Sequence, residues 1–89
     1  MTPAEMIGAN LRGARKAAGL AQEEVAWRAQ VHRTQVSLWE NGAQVPRLLS
    51  LVKLAGACSV TPNDLLAGLE WEPAEYSYGR LVVGEEGDR

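Results

Sequence analysis

Two four-residue sequences of the same kind, at residues 2–5 and 61–64, constrain the fold of this chain more than any other feature. They read "TPAE" and "TPND". Each has a threonine suited to capping a helix, a proline suited to its first turn, and an acidic residue three positions after the threonine. Gly19, Gly42 and Gly68 are suited to ending helices between and after them. Start and stop signals at these spacings predict several short helices.

Apolar residues recur at helical spacing between these signals, and they predict five helices. The first begins at Pro3 and ends near Gly19, and the second covers "AQEEVAWRAQ". The third covers residues 33–41, Pro46 opens the fourth, and the fifth follows Thr61. The apolar side chains predicted to face the core are Ile7, Leu11, Ala14, Ala18, Val25, Ala26, Ala29, Val36, Trp39, Leu48, Leu51, Leu54, Ala55, Cys58, Leu65 and Leu66. Short connections between short helices indicate an all-α domain.

The net charge of −2 conceals an uneven distribution along the 89 residues. Residues 1–69 carry seven Lys/Arg and five Asp/Glu, a balance of +2. Residues 70–89 carry two Lys/Arg and six Asp/Glu, a balance of −4. A mildly basic segment is thus followed by an acidic one, so the negative total does not exclude nucleic-acid binding by the first segment.

Several classes of protein do not fit the sequence. No window reaches the roughly 18 apolar residues of a membrane span, and the N-terminus lacks the apolar run of a signal peptide. Cys58 is the single cysteine, so an intrachain disulfide and a thiolate metal cluster are ruled out. His32 and the pair Glu23–Glu24 lie where helix-end residues are expected, and no nucleophile–base pair or phosphate loop is apparent. We expect a cytoplasmic protein that is not an enzyme and has no cofactor or metal.

The last twenty residues have a different character from the helical segment. We divide the chain into a domain of residues 1–69 and an extension of residues 70–89. Tyr78 and "LVV" at residues 81–83 favour strand, with a turn near Gly79, so the extension is predicted to form a strand or short hairpin followed by a disordered end. Its aromatic side chains, and that of Trp27, either pack over the helical domain or contact a second subunit or partner. The aromatic residues of the extension are Trp71, Tyr76 and Tyr78.

The third predicted helix, within "HRTQVSLWENG", has two unlike faces. On a helical wheel Val36, Trp39 and Glu40 fall on one side. A glutamate beside a buried tryptophan requires a cation. The other side has short hydrogen-bonding side chains around a leucine, which is unusual for a helix that only meets solvent. The residues of that side and its flanks are Arg33, Thr34, Gln35, Ser37, Leu38 and Asn41.

Residues 7–67 resemble the lambda-repressor-like helix-turn-helix domain of Cro and xenobiotic-response-element type regulators. The matching segments are "IGANLRGARKAAGL", "QEEVAWRAQV", "HRTQVSLWENG", "VPRLLSLVKLAGACSV" and "TPNDLL". Because five segments occur in the family's order and at its spacing, the resemblance is specific. It implies a five-helix fold in which the second helix crosses the DNA backbone and the third enters the major groove.

The resemblance also implies roles for individual residues. The positions that reach base edges in the family are occupied here by Arg33, Thr34, Gln35, Ser37 and Leu38. Gln22, Asn41 and Arg47 match positions that contact the sugar-phosphate chain, which orient the protein without reading sequence. Arg15 and Glu40 match a partly buried ion pair that joins the first and third helices, so we expect its loss to impair folding more than recognition.

Four positions depart from the family pattern. Ala21 lies where a Ser or Thr usually caps the second helix, which costs roughly 1 kcal/mol. Gln30 lies where glycine is common, and a left-handed conformation there costs roughly 1–2 kcal/mol. Ala43 and Gln44 replace the basic residues that often contact phosphate after the third helix. The last change predicts weaker binding to DNA and a flatter salt dependence.

Two classes of function follow. The first is a sequence-specific DNA-binding transcriptional regulator, expected to be a bacterial repressor that binds double-stranded DNA at the nucleoid as a homodimer. The alternative is a protein-interaction module, or an antitoxin-like protein, that binds a partner protein through its exposed aromatic residues and acidic tail.

Overall fold

The structure, a computed structural model, describes residues 1–74 and 78–84. Those residues form five helices followed by two strands. The helices are α1 (Pro3–Ala17), α2 (Gln22–Ala29), α3 (Arg33–Glu40), α4 (Leu48–Ala57) and α5 (Pro62–Leu65); the strands are β1 (Leu69–Glu72) and β2 (Arg80–Val83). The predicted five-helix domain and the predicted hairpin are both confirmed.

Both Thr-Pro sequences begin helices as predicted. The amide of Glu5 donates to Thr2 Oγ1 at 3.1 Å, and the amide of Thr2 donates to Glu5 Oε1 at 2.9 Å. Asp64 and Thr61 make the same reciprocal pair, at 3.2 and 2.9 Å, at the start of α5. The unpaired amides at these two helix starts are therefore satisfied by residues within three positions in sequence.

The ends of α2 differ from this pattern in the way its sequence predicts. Ala21 occupies the N-cap position with no side-chain acceptor, although its own amide donates to Glu24 Oε1 at 3.0 Å. Gln30 ends the helix in the left-handed conformation, with φ of 55°. The turn into α3 thus places a non-glycine residue in strained backbone.

The core lies between the helices: α3 packs against α1 and α2, α4 packs against α2 and α5, and α5 packs against α1. Most of the predicted inward residues are buried there, including Leu11, Val25 and Leu54. Their partners in the core are Ile7, Ala26, Ala29, Val36, Trp39, Leu51, Ala55, Cys58 and Leu65. Burial raises the pKa of the Cys58 thiol, which keeps it protonated as a small core side chain.

Four predictions at helix ends were wrong. The side chain of Leu48 is 73% exposed, because α4 begins at Leu48 and the buried residue at this end is Pro46, two positions before the helix. Pro46 therefore precedes α4 and does not occupy its first position. Leu66 and Ala18 are exposed because each follows the last helical residue, where the backbone no longer continues the helical repeat.

Two residues of α1, Gly8 and Asn10, determine how closely this helix packs against α3 and the end of α5. A Cβ at Gly8 would lie 2.6 Å from the carbonyl oxygen of Glu40, so α1 and α3 approach to a distance that no side chain allows. Asn10 Nδ2 donates to the carbonyl oxygens of Leu65 and Ala67, at 3.0 and 2.8 Å. These bonds satisfy free carbonyls at the end of α5 and join it to α1.

The hairpin is antiparallel, with Leu69 opposite Val83 and Trp71 opposite Leu81. These four side chains share one face of the hairpin, because residues paired across the strands, and residues two positions apart along one strand, point to the same side. Leu69 packs against the core, so β1 starts within the helical body, one residue before the predicted domain boundary. The apolar face of the hairpin therefore begins at the core and continues outward.

The outer aromatic residues do not pack over the helical domain. Trp71 is 62% and Tyr78 97% exposed, so that interpretation is wrong for both. The indole of Trp71 instead covers Gly79, where any Cβ would collide with the ring. Trp27 on α2 is 82% exposed and is likewise uncovered. Tyr76 and the predicted disordered end lie outside the described residues.

Candidate nucleic-acid interface

Helix α3 is held in the domain by one face and presents the other to the exterior. Val36, Trp39 and Glu40 are buried. Arg33, Thr34, Gln35, Ser37 and Leu38, the five residues expected at base edges, all lie on the remaining surface. The first three are exposed and the last two half-buried. The structure therefore brings the candidate base-reading residues together on one accessible helix face.

The start of α3 is capped by one of these residues. The amide of His32 donates to Gln35 Oε1 at 3.1 Å. The Gln35 carboxamide oxygen therefore satisfies a free amide at the helix end, and its Nε2 group is the part that points away from this bond. Gln35 thus has a structural role beside its candidate role at base edges.

The other face of α3 is anchored by a buried ion pair. Arg15 Nε lies 2.6 Å from Glu40 Oε2, and Arg15 Nη2 donates to Glu40 Oε1 at 2.9 Å. Arg15 Nη1 donates to the carbonyl of Leu20 at 2.9 Å. The Glu40 side chain is fully buried and that of Arg15 is 13% exposed. This is the bidentate geometry that best compensates the burial of a carboxylate.

Glu40 also accepts hydrogen bonds from two further residues. Arg12 Nε donates to its Oε1 at 3.4 Å, and Gln22 Nε2 donates to the same oxygen at 3.2 Å. Burial by itself raises the pKa of Glu40, but the hydrogen bonds from Arg15, Gln22 and Arg12 outweigh it and bring the pKa below its ordinary value. The carboxylate therefore stays charged and joins α1, α2 and α3.

The three residues expected at phosphates occupy different surroundings. Gln22, at the start of α2, is half-buried and bonded to Glu40 as described. Asn41 follows α3 directly, and its Oδ1 accepts from Arg12 Nη2 at 3.0 Å. Arg47 is exposed at the N-cap position of α4. Gln22 and Asn41 are thus linked through Glu40 and Arg12. Arg47 lies apart from these residues, at the start of α4.

Arg12 is the residue of this site that sequence reasoning missed. It lies three positions before Arg15, and residues at that spacing share one face of a helix. A search for every cation on the α1 face that carries Arg15 would have found it. Its guanidinium contacts both Glu40 and Asn41.

Within the described part of the chain, no helix is long and apolar enough to cross a membrane.

Comparison with known proteins identifies the family of this chain. A helix-turn-helix family model, HTH_3, matches residues 11–65, which include α2, the turn and α3. The chain therefore belongs to the helix-turn-helix family, and its neighbours are Cro/C1-type DNA-binding regulators that include lambda-like repressors.

Three individual similarities support this assignment. Over 60 residues the chain is 38% identical to the HTH-type transcriptional activator BcrR of Enterococcus faecalis, a match covering 67% of this chain and 29% of that protein. The restriction-modification controller C.AhdI of Aeromonas hydrophila superposes with a TM-score of 0.68 at 34% identity, covering 70% of this chain and 94% of the controller. The P22 c2 repressor bound to a synthetic operator superposes with a TM-score of 0.65 at 27% identity, covering 70% and 94%. All three are described as regulators or controllers, and none as an enzyme.

Proposed function

We propose that this chain binds specific double-stranded DNA by inserting α3 into the major groove. The observation that carries the proposal is the division of α3 into a buried anchoring face and an accessible polar face. Arg33 at its first position suits the O6 and N7 atoms of guanine, the hydroxyls of Thr34 and Ser37 suit either base, and Leu38 suits a thymine methyl. Similarity to a repressor crystallised with its operator supports this use of the face.

The proposed biological role is repression of transcription by a homodimer. A helix of eight residues offers a small contact area, and two copies bound about 34 Å apart would read a two-fold-related operator. Such a protein acts in the bacterial cytoplasm, at the nucleoid.

Repression is tested with a reporter behind the DNA upstream of the protein's own gene. Expression of the chain should lower reporter output, whereas a rise would make it an activator.

The DNA-binding proposal is tested by a gel shift against that upstream DNA and a random duplex of equal length, titrated upward from about 50 mM salt. We expect wild-type protein to prefer the upstream DNA, and Arg33→Ala to lose roughly 1–3 kcal/mol of that preference. Lys53→Ala is the matched control, because it removes one exposed cation from α4 rather than from α3. It should leave the preference unchanged. Equal, weak binding of both duplexes by the wild type would contradict the proposal.

A second candidate function rests on the hairpin. Trp71, Tyr78 and Leu81 are exposed although they are apolar or aromatic, and such groups commonly mark protein contacts. An interaction module or antitoxin-like protein would use them to hold a partner protein. Leu81→Glu separates the two functions: it should abolish capture of a partner protein if the second holds, whereas binding to random duplex, which depends on α3 and not on the hairpin, should persist if the first holds.

A further inference from the structure

Arg12 lies between two residues that are expected to contact the DNA backbone. Its Nε and the Nε2 of Gln22 donate to the same oxygen of Glu40, at 3.4 and 3.2 Å. Its Nη2 donates to Asn41 Oδ1 at 3.0 Å. One guanidinium therefore contacts both residues at the end of α3 and shares an acceptor oxygen with Gln22 at the start of α2, at the edge of the site where Gln22 and Asn41 are expected to meet phosphate.

The positive charge of the Arg12 guanidinium is not neutralised by the described residues around it. Arg15 is nearly buried and makes three internal hydrogen bonds, two of them to Glu40. It thereby neutralises the carboxylate. The side chain of Arg12 is 44% exposed, and among the described residues its Nη1 donates to no protein acceptor. Two cations around one carboxylate leave a surplus positive charge, and that charge lies on the accessible member.

This position matters because two positions directly after α3 bring no cation. Ala43 and Gln44 follow the helix where the family often has basic residues. Lys16, one turn after Arg12 on α1, lines the same shallow cleft as Arg12 and Asn41. Glu5 lines that cleft too, so α1 adds two cations and one carboxylate beside the end of α3, and Arg47 adds a cation from the start of α4.

We infer that Arg12 is a DNA-phosphate contact, placed between Gln22 and Asn41 and substituting for the missing cations after α3. The inference rests on the proposed DNA binding. A guanidinium can give two parallel hydrogen bonds to phosphate oxygens, and Nη1 is available for them. Arg12 also holds Asn41 Oδ1; the Asn41 Nδ2 donates to Ser37 Oγ at 3.5 Å and has a second N–H that can donate to the same strand.

The test measures the salt dependence of binding to a random duplex, which requires no knowledge of the operator. For Arg12→Met we expect the slope of log Kobs against log salt to flatten by about 0.9, the amount for one lost phosphate contact. Lys53→Met makes the same charge change on α4 and should leave the slope unchanged. The ratio of upstream to random DNA affinity should stay the same in Arg12→Met, since phosphate contacts carry no sequence information.

An unchanged slope in Arg12→Met, while the wild type binds DNA, would overturn this inference and leave the proposed function standing. Absence of any duplex binding by the wild type would overturn both it and the proposed function.

A second measurement uses the unaltered protein, so that misfolding of a variant cannot obscure the answer. The NMR resonance of the Arg12 Nε–Hε group is followed while random duplex is added at low salt. We expect it to shift and to saturate together with the backbone amides of α3. A resonance that stays in place while the α3 amides shift would show that Arg12 only supports Glu40, and would overturn the inference.

Discussion

At the scale of single residues, Glu40 determines whether α3 is held in place. Its buried carboxylate accepts from Arg15, Arg12 and Gln22. Removing one partner of a buried pair leaves a charge that neither water nor protein fully compensates. We expect Arg15→Met to lower the free energy of unfolding at pH 7 by about 3 kcal/mol, measured by urea denaturation. Lys16→Met, the exposed neighbour, should change it by less than about 0.5 kcal/mol; a similar loss in both variants would contradict a special role for the pair.

The same carboxylate predicts how stability depends on pH. The folded-state pKa of Glu40 is below its ordinary value, so its contribution is fully present above the unfolded-state pKa of about 4.3 and is lost as pH falls through the lower folded-state value. We therefore expect Glu40→Gln to be less stable than wild type at pH 7, with the difference shrinking progressively below about pH 4. Thermal unfolding of both proteins at each pH measures this. A difference that stays constant from pH 7 to pH 3 would show that Glu40 acts through shape and not through charge.

At the scale of elements, the contact between α1 and α3 depends on the absence of a side chain. A Cβ at Gly8 would meet the carbonyl oxygens of Trp39 and Glu40, whereas a Cβ at Gly13 in the same helix would meet nothing within 4 Å. We expect Gly8→Ala to destabilise the protein by roughly 1–3 kcal/mol, because the helices must move apart. Gly13→Ala is the matched control and should stabilise it by roughly 0.5–1 kcal/mol, because alanine favours helix. Urea denaturation distinguishes the two, and equal effects of the two changes would be inconsistent with the close approach.

At the scale of the whole molecule, the exposed apolar side chains of the described residues include two groups. One group is on α4 and the loop before it, formed by Val45, Leu48, Leu49 and Val52; the other is on the outer hairpin, formed by Trp71, Tyr78 and Leu81. Exposed apolar groups of this kind commonly mark contacts between proteins. Because the hairpin face continues outward from the core, we keep the hypothesis that the extension makes the proposed dimer.

Light scattering on the full chain tests this hypothesis. We expect wild-type protein at twice the 9.6 kDa mass of one chain, and Leu81→Glu, which places a charge on the outer hairpin, at the mass of one. Leu49→Glu is the control on α4 and should remain a dimer. An undiminished dimer in Leu81→Glu would rule out the hairpin contact, and dissociation by Leu49→Glu alone would place the contact on α4.

The sequence by itself predicted what depends on neighbours along the chain. The capping pairs at Thr2 and Thr61 and the two faces of α3 involve residues within a few positions of each other. Their free energies are set by local backbone geometry, so their residue types can be read directly. The order of the five helices and the accessible face that carries Arg33 were predicted on the same basis, together with the family resemblance.

The tertiary structure alone decided what depends on how helices cross. Arg12 and Glu40 are 28 positions apart, and their contact exists because Gly8 lets α1 approach α3. The exposure of Leu48 and Trp71 was likewise missed, since burial at the end of an element depends on whether another element reaches that far. A helical repeat specifies which side of a helix is apolar, but it does not specify how far away the neighbouring helix lies. That distance brings Arg12 into contact with Glu40 and Asn41 and so makes it part of the site.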